Sequence, residues 1–335
     1  MIINYQNIKP YTYEEMLSIE KDIYNKMLIA KDTEKENISI KRIKEHSIEV
    51  LNDKVYNMPQ NIFIIKKYKG ITIVGRKIWS VLSMDKRINA INCSMITASM
   101  LLGILNTKKK DNDNIFVSYY PFTNGEKLTV FDDIKHSKLD IYYPFKYRDY
   151  DTKKEEVTPK EGWTFNLDKK EYLGYGEKHI REYTTKYFKE YNLKDKRIYD
   201  PACSTGEFLN TFQNKHKYCY TIGHDLSEQM IEYAKDYVDE ALCTDAYKSP
   251  IKDRSIDIMF LRFLNSEVVS TNMAHKIMRV LLAKMKHRGI VVCFGHTPVL
   301  ISKEWFLKNG LKVIDTIGYS KEYDAIFQYY VLEVI

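Results

Sequence analysis

Apolar positions recur with two different patterns along the chain of 335 residues. From about residue 176 onward, short apolar runs alternate with stretches in which apolar residues recur at helical spacing. This alternation is typical of a parallel sheet with helices on both faces, so we expect an α/β fold there. The predicted strands lie at 220–224, 241–246, 255–260 and 289–294, and a helix is predicted at 272–286.

The first 175 residues follow a different pattern. Helical spacing of apolar residues marks 14–30 and 38–51, and 85–105 predicts a longer buried helix. We therefore expect two domains. Residues 1–175 would form a mixed, largely helical cap domain that covers the substrate, and residues 176–335 would form the sheet domain.

Composition and charge change this picture little. With 44% hydrophobic and 29% charged residues, the chain has the balance of an ordinary globular protein, which excludes the disordered classes. The net charge of +7 is modest and is spread along the chain without a dense basic block. The charge therefore does not favour nucleic acid as a partner.

Cysteines and targeting signals set the expected compartment. The five cysteines form no C-x-x-C pair, so neither a disulfide framework nor a metal site is expected. The first residues lack the basic start and apolar core of a secretory signal. The apolar run 94–105 has twelve residues, fewer than the roughly 20 that cross a bilayer. We expect a cytoplasmic protein without membrane contact, and the sequence leaves the oligomeric state open.

The turn after the predicted strand at 198–199 carries the first chemical signal. Its sequence is DPACSTG, with Asp200 followed at every second position by a small residue: Ala202, Ser204 and Gly206. Small residues allow the backbone to approach a ligand closely and then enter a helix packed on the sheet.

This spacing resembles the D-x-G-x-G-x-G turn of class I S-adenosylmethionine-dependent methyltransferases, although only the last of its three glycines is present. The resemblance extends over residues 177–335. Asp225 ends the next predicted strand, nineteen residues after Gly206, and Asp245 ends the one after it. In this family the first acid accepts the ribose hydroxyls and the second holds the adenine amino group. The resemblance therefore implies a Rossmann-like sheet and S-adenosylmethionine as the cofactor.

The same resemblance implies a set of cofactor-binding residues at the ends of the strands. They are Asp200, Ala202, Ser204, Gly206, Asp225, Leu226, Asp245, Ala246 and Arg262. Two other nucleotide-binding classes are excluded, because the turn contains neither the G-x-G-x-x-G of dinucleotide dehydrogenases nor a P-loop.

Catalytic residues are expected after the fourth and fifth strands and in the cap, since ligands bind at the carboxyl ends of parallel strands. The candidates are Asn265, Ser266, His296 and Tyr175. Asn and Ser are also favoured helix caps, and a histidine in this place also suits a bond to a loop carbonyl. An aromatic face at Tyr175 or Tyr172 would favour the sulfonium, although packing between domains would use it equally well. Cys203 is interpreted as a small turn residue.

The substrate is the least determined feature. The first turn also resembles that of adenine-specific DNA methyltransferases, but their Pro-Pro-aromatic segment after strand four is absent from this chain. The leading hypothesis is methylation of a small molecule in specialised metabolism. Three alternatives stay open: a protein substrate, a non-catalytic cofactor-binding regulator, and an enzyme that uses the cofactor without methylating. The last class cyclises S-adenosylmethionine to azetidine-2-carboxylate and methylthioadenosine, or transfers its aminocarboxypropyl group.

Overall fold

The structure is a computed structural model that describes residues 29–54, 62–77, 94–111, 114–145, 162–163, 178–265, 268–295 and 298–335. The chain divides into two compact units. The first comprises Met1–Lys153 with Lys321–Phe327, and the second comprises Lys154–Ser320 with Gln328–Ile335.

The described part of the first unit is built on an antiparallel sheet of six strands in the order β1-β5-β4-β3-β2-β6. Two helices accompany it, and the longer one begins with a capping box between Thr123 and Glu126. The elements in chain order are α1 (Ile40–Lys44), β1 (Glu49–Lys54), β2 (Ile62–Tyr68), β3 (Ile71–Arg76), β4 (Leu101–Lys110), β5 (Asn114–Pro121), α2 (Asn124–Lys135) and β6 (Ile141–Tyr142).

This sheet corrects the expectation of a largely helical cap, as far as the described residues go. Within the helix predicted at 38–51, only the residues of α1 are helical. The last residues of the helix predicted at 85–105 belong to strand β4. A continuous apolar run suits a strand buried between neighbours as well as it suits a buried helix, so its periodicity could not decide. Residues 14–28 and 85–93 of the predicted helices lie outside the described residues.

A second sheet has seven strands in the order β12-β13-β11-β10-β7-β8-β9. It belongs to the second unit except for residues 325–327 of β13, which belong to the first. Strands β9, β8, β7, β10 and β11 pair in parallel, and β13 runs antiparallel to β11. The parallel α/β sheet predicted from the sequence is confirmed. Its elements are α3 (Lys178–Tyr187), β7 (Arg197–Asp200), α4 (Glu207–Lys215), β8 (Tyr220–Asp225), α5 (Glu228–Ala234), β9 (Glu240–Cys243), β10 (Ile256–Leu261), α6 (Thr271–Lys284), β11 (Met285–Phe294), α7 (Lys303–Lys308), β12 (Leu311–Ser320) and β13 (Ala325–Val334).

Strand β10 forms the centre of the core, because all six of its residues are buried. On one face Phe260 packs against the rings of Phe208 and Phe212, with centroids 5.1 and 5.2 Å away. On the other face Met259 and Leu261 join a larger apolar cluster that includes residues of α6. Burial on both faces explains why residues 258–261 of this strand form a continuous apolar run.

An ion pair joins the carboxyl ends of the two central strands. Arg262 follows β10, and its Nε donates to Oδ2 of Asp200, the last residue of β7, at 2.8 Å. Only 9% of the Arg262 side chain and none of the Asp200 side chain is exposed. The same guanidinium lies 5.0 Å from the centroid of the Phe208 ring. The ends of β7 and β10 are therefore held together by a pair of buried charges.

Breaking this pair is expected to destabilise the protein strongly. Asp200→Asn keeps the shape of the side chain but removes the charge that faces the buried guanidinium, so the free energy of unfolding should fall by about 3 kcal/mol or more. Urea unfolding followed by circular dichroism measures the change.

Asp253→Asn is the matched control for that substitution. Asp253 pairs with Lys284 at 2.7 Å, but its side chain is 66% exposed. Loss of an exposed pair should cost less than about 1 kcal/mol. Equal losses in the two variants would contradict a special contribution from the buried pair.

Candidate active site

The turn between β7 and α4 takes a shape that depends on two left-handed residues. Ser204 has a φ of 54° and Gly206 a φ of 80°. A Cβ on Gly206 would lie 3.1 Å from Cα of Ala234, at the end of α5. Glycine therefore meets both requirements at this position, since it accepts a positive φ and allows close packing. Ser204 adopts its conformation at some cost in strain.

Asp225 ties this turn to the next strand. Its Oδ2 accepts a hydrogen bond from the backbone N–H of Ser204, and its Oδ1 accepts one from that of Ser227, both at 2.9 Å. Burial raises the pKa of the Asp225 carboxyl, and the two backbone N–H groups oppose that rise. A carboxylate has about four acceptor sites, so this one keeps capacity for hydrogen bonds from a ligand.

The end of β9 is attached to the same place. The N–H of Thr244 donates to the carbonyl oxygen of Asp225 at 2.8 Å. Asp245, one residue further on, is half-buried and caps a short 3-10 helix, Ala246–Lys248, by accepting from the N–H of Tyr247 at 2.8 Å. Leu226 is also half-buried, whereas Ala246 is buried. The three parallel strands β7, β8 and β9 thus end in one connected group of loops.

Seven of the nine residues predicted to bind the cofactor fall into two layers. Ala202, Ser204, Asp225, Leu226 and Asp245 keep part of their surface accessible at the strand ends. Asp200 and Arg262 lie beneath them, because Asp200 also accepts from the N–H of Ala202 at 3.0 Å and Arg262 donates to the Ala202 carbonyl at 3.2 Å. The inner layer supports the turn from below.

Asn265 lies on the loop after β10, as its position in the sequence predicts, but it is buried. Its carbonyl oxygen accepts from the N–H groups of Val268 and Val269 at 3.1 and 3.0 Å, and its backbone pairs with Val299. The backbone of Asn265 therefore helps to shape this loop. The other three catalytic candidates, Ser266, His296 and Tyr175, lie outside the described residues, as does Tyr172.

Cys203 is poorly suited to nucleophilic chemistry. Its side chain is buried, and burial together with the nearby Asp200 and Asp225 carboxylates raises the pKa of the thiol well above its usual range. A Cβ on Gly223 would approach the sulfur to 2.8 Å, so the thiol fills a tight space between the turn and β8. A protonated, enclosed thiol is inert.

One group of residues near the site was missed by the sequence analysis. The hydroxyl of Tyr199 is bonded to Nδ1 of His224 and to Oγ of Ser249, both at 2.9 Å. The sequence does contain a feature that could have identified this group: Tyr199 and His224 each directly precede one of the two aspartates that end strands.

Metal ligands and membrane spans are the two remaining features to consider. No group of three or more His, Cys, Asp or Glu side chains in the described residues could hold a metal ion. Within the same ranges, no helix is long and apolar enough to cross a membrane.

Comparisons with known proteins agree with the fold of the second unit. The family described as "Methyltransferase domain" matches residues 198–289. Isonocardicin synthase of Nocardia uniformis subsp. tsuyamanensis is 31% identical over 279 residues, which cover 82% of this chain and 91% of that protein.

Two solved structures are similar to about half of this chain. A SAM-dependent methyltransferase from Aquifex aeolicus matches 51% of this chain and 100% of its own, with a TM-score of 0.40 and 19% identity. The magnesium protoporphyrin IX methyltransferase of Synechocystis PCC 6803 with bound SAM matches 52% of this chain and 87% of its own, with a TM-score of 0.39 and 14% identity. The strand order, the connected loops at the strand ends, the match to the methyltransferase domain family and the similarity to isonocardicin synthase lead to one conclusion: the chain belongs to the class I S-adenosylmethionine-dependent methyltransferase superfamily, with S-adenosylmethionine as its cofactor.

Proposed function

We propose that the protein is an S-adenosylmethionine-dependent enzyme of small-molecule biosynthesis that uses the aminocarboxypropyl arm of its cofactor. The observation that carries this proposal is the extent of similarity to isonocardicin synthase. A match over 82% of the chain is too long for the second unit alone, so it includes a large part of the first unit. The relative is named as a synthase and not as a methyltransferase, which favours a use of the cofactor other than methylation.

The residues at the strand ends suit the cofactor. In our assignment the Asp225 carboxylate accepts the two ribose hydroxyls with the acceptor sites that its backbone partners leave open. Asp245 accepts from the adenine amino group, and Leu226 and Ala246 supply apolar contacts to the base. Ser204 and Gly206 bring the backbone close to the ligand through their left-handed conformations. Asp200 and Arg262 hold this surface in place.

The bound cofactor supplies a sulfonium whose attached carbons are open to displacement by a nucleophile. The chain's part is to align the nucleophile with one of these carbons and to exclude water, which can account for most of the rate enhancement. A base takes the proton that the nucleophile loses, and we propose His296 for this role. Asn265 and Ser266 would orient the nucleophile, and Tyr175 would face the cation.

Methyl transfer to a small molecule is the second candidate. The match of residues 198–289 to the methyltransferase domain family favours it. The two candidates differ in the bond that breaks. Attack on the methyl carbon releases S-adenosylhomocysteine, whereas attack on the arm releases methylthioadenosine.

The products of the reaction decide between the two candidates. Purified protein is incubated with S-adenosylmethionine, first alone and then with a low-molecular-weight extract of the source cells, and the products are measured by mass spectrometry. We expect methylthioadenosine well above the level in a reaction without enzyme. Azetidine-2-carboxylate formed without extract would identify cyclisation, and an adduct formed only with extract would identify transfer. S-Adenosylhomocysteine as the sole sulfur product would contradict use of the arm and support methyl transfer.

Cofactor affinity tests the assignment of Asp225. Hydrogen bonds to a charged acceptor contribute roughly 1.5–3 kcal/mol each, so Asp225→Ala should raise the Kd for S-adenosylhomocysteine about tenfold or more. Titration calorimetry measures the Kd, and circular dichroism checks that the variant is folded.

Asp257→Ala is the control for that measurement. Asp257 is bonded to the N–H of Arg197 at 3.0 Å and to Nζ of Lys286 at 2.7 Å, at the opposite, amino-terminal edge of the sheet. Its removal should leave the Kd within about twofold, because no ligand binds at that edge. Unchanged affinity in a folded Asp225→Ala variant would remove Asp225 from the site.

A further inference from the structure

Three polar side chains form a buried network under the strand ends. The hydroxyl of Tyr199 lies 2.9 Å from Nδ1 of His224 and 2.9 Å from Oγ of Ser249. All three residues are buried, and the rings of Tyr199 and His224 meet edge to face with centroids 4.9 Å apart. The network therefore has fixed directions as well as fixed partners.

The three residues come from the three segments that form the outer surface of the site. Tyr199 directly precedes Asp200 in β7, and His224 directly precedes Asp225 in β8. Ser249 directly follows the 3-10 helix that Asp245 caps. The Tyr199 hydroxyl thus bonds the ends of two strands to the segment 245–249.

The network is a poor source of stability. Nε2 of His224 is buried and has no hydrogen-bond partner among the described residues. Burial lowers the pKa of His224 to about 4, so the ring is neutral near pH 7 and contributes no charge interaction there. Apolar side chains would fill the same volume without the cost of burying an unsatisfied polar atom. Directional bonds do, however, fix one arrangement of a core more firmly than apolar contacts do.

We propose that Tyr199, His224 and Ser249 are positioning residues that hold the segment 245–249 in register with β8 and thereby set the preference for the adenine base. This inference rests on the proposed contact between Asp245 and the adenine amino group. A small shift of the segment would lengthen that hydrogen bond, whereas the ribose contacts of Asp225 would be retained, because they depend on Ser204 and Ser227.

The test compares two ligands that differ only at the adenine amino group. One is S-adenosylhomocysteine, and the other is its purine-riboside counterpart, in which hydrogen replaces that amino group. A hydrogen bond to a carboxylate corresponds to roughly a tenfold difference in Kd or more, so the wild-type protein should prefer the adenine compound by about that factor. Tyr199→Phe should reduce the preference to within about twofold by weakening binding of the adenine compound alone.

Tyr330→Phe is the matched control. Its hydroxyl accepts from Nε2 of Gln328 at 2.9 Å, and Tyr330 is buried in the same apolar cluster as Tyr199. This substitution also removes one buried hydroxyl, so it should lower stability to a similar degree but leave the preference for adenine unchanged. Ser249→Ala, which removes one bond of the network, serves as a milder second variant and should also reduce the preference.

Three outcomes would overturn the inference. In the first, the preference for the adenine compound stays the same in Tyr199→Phe and Ser249→Ala. In the second, this preference falls equally in the control Tyr330→Phe. Either result would mean that the network has a purely structural role. Wild-type protein that binds S-adenosylhomocysteine without any preference for the amino group would refute the Asp245 contact. A wild-type protein that binds neither ligand would instead contradict the cofactor assignment itself, so the two kinds of failure are distinguishable.

Discussion

The buried ion pair between Asp200 and Arg262 is the interaction on which the rest of the site depends. It joins the ends of β7 and β10, and the same two side chains bind both the N–H and the carbonyl oxygen of Ala202. Two charges taken out of water are costly unless each finds its partner in good geometry. The pair thereby supports the turn that follows β7, in which Ser204 and Gly206 take left-handed conformations.

Two aspartates that end neighbouring strands have different surroundings and therefore different roles. Asp200 is enclosed and bonded to a guanidinium, so its oxygens are committed to the chain. Asp225 is half-buried, and its hydrogen bonds to the described residues come from backbone N–H groups, which leaves it capacity for a ligand. The inner carboxylate stabilises the turn, and we assign the outer one to the ribose. Two aspartates on neighbouring strands can thus differ in role: one stabilises the turn, and the other is free to contact a ligand.

The two units raise different questions about function. The second unit has the strand order and connected loops of its superfamily, which account for a cofactor but not for a substrate. The first unit is built on an antiparallel sheet, and the similarity to isonocardicin synthase reaches into it. Our proposal that the aminocarboxypropyl arm is used depends on that longer similarity. The fold of the second unit does not by itself identify the reaction, because one fold supports many reactions.

The sequence by itself determined the parallel sheet, the turn at 200–206 and the places of Asp225 and Asp245, because strand and helix periods and short spacings are encoded locally. It did not determine the sheet of the first unit. Residues there pair across long separations, as Glu49 does with Tyr119, and a local apolar pattern cannot name a distant partner. The partners of Asp200 and Tyr199 could not be predicted for the same reason. Arg262 lies 62 residues from Asp200, and Ser249 lies 50 residues from Tyr199. Only the tertiary structure brings such side chains together, and their burial decides which of them support the site and which keep a surface for the ligand.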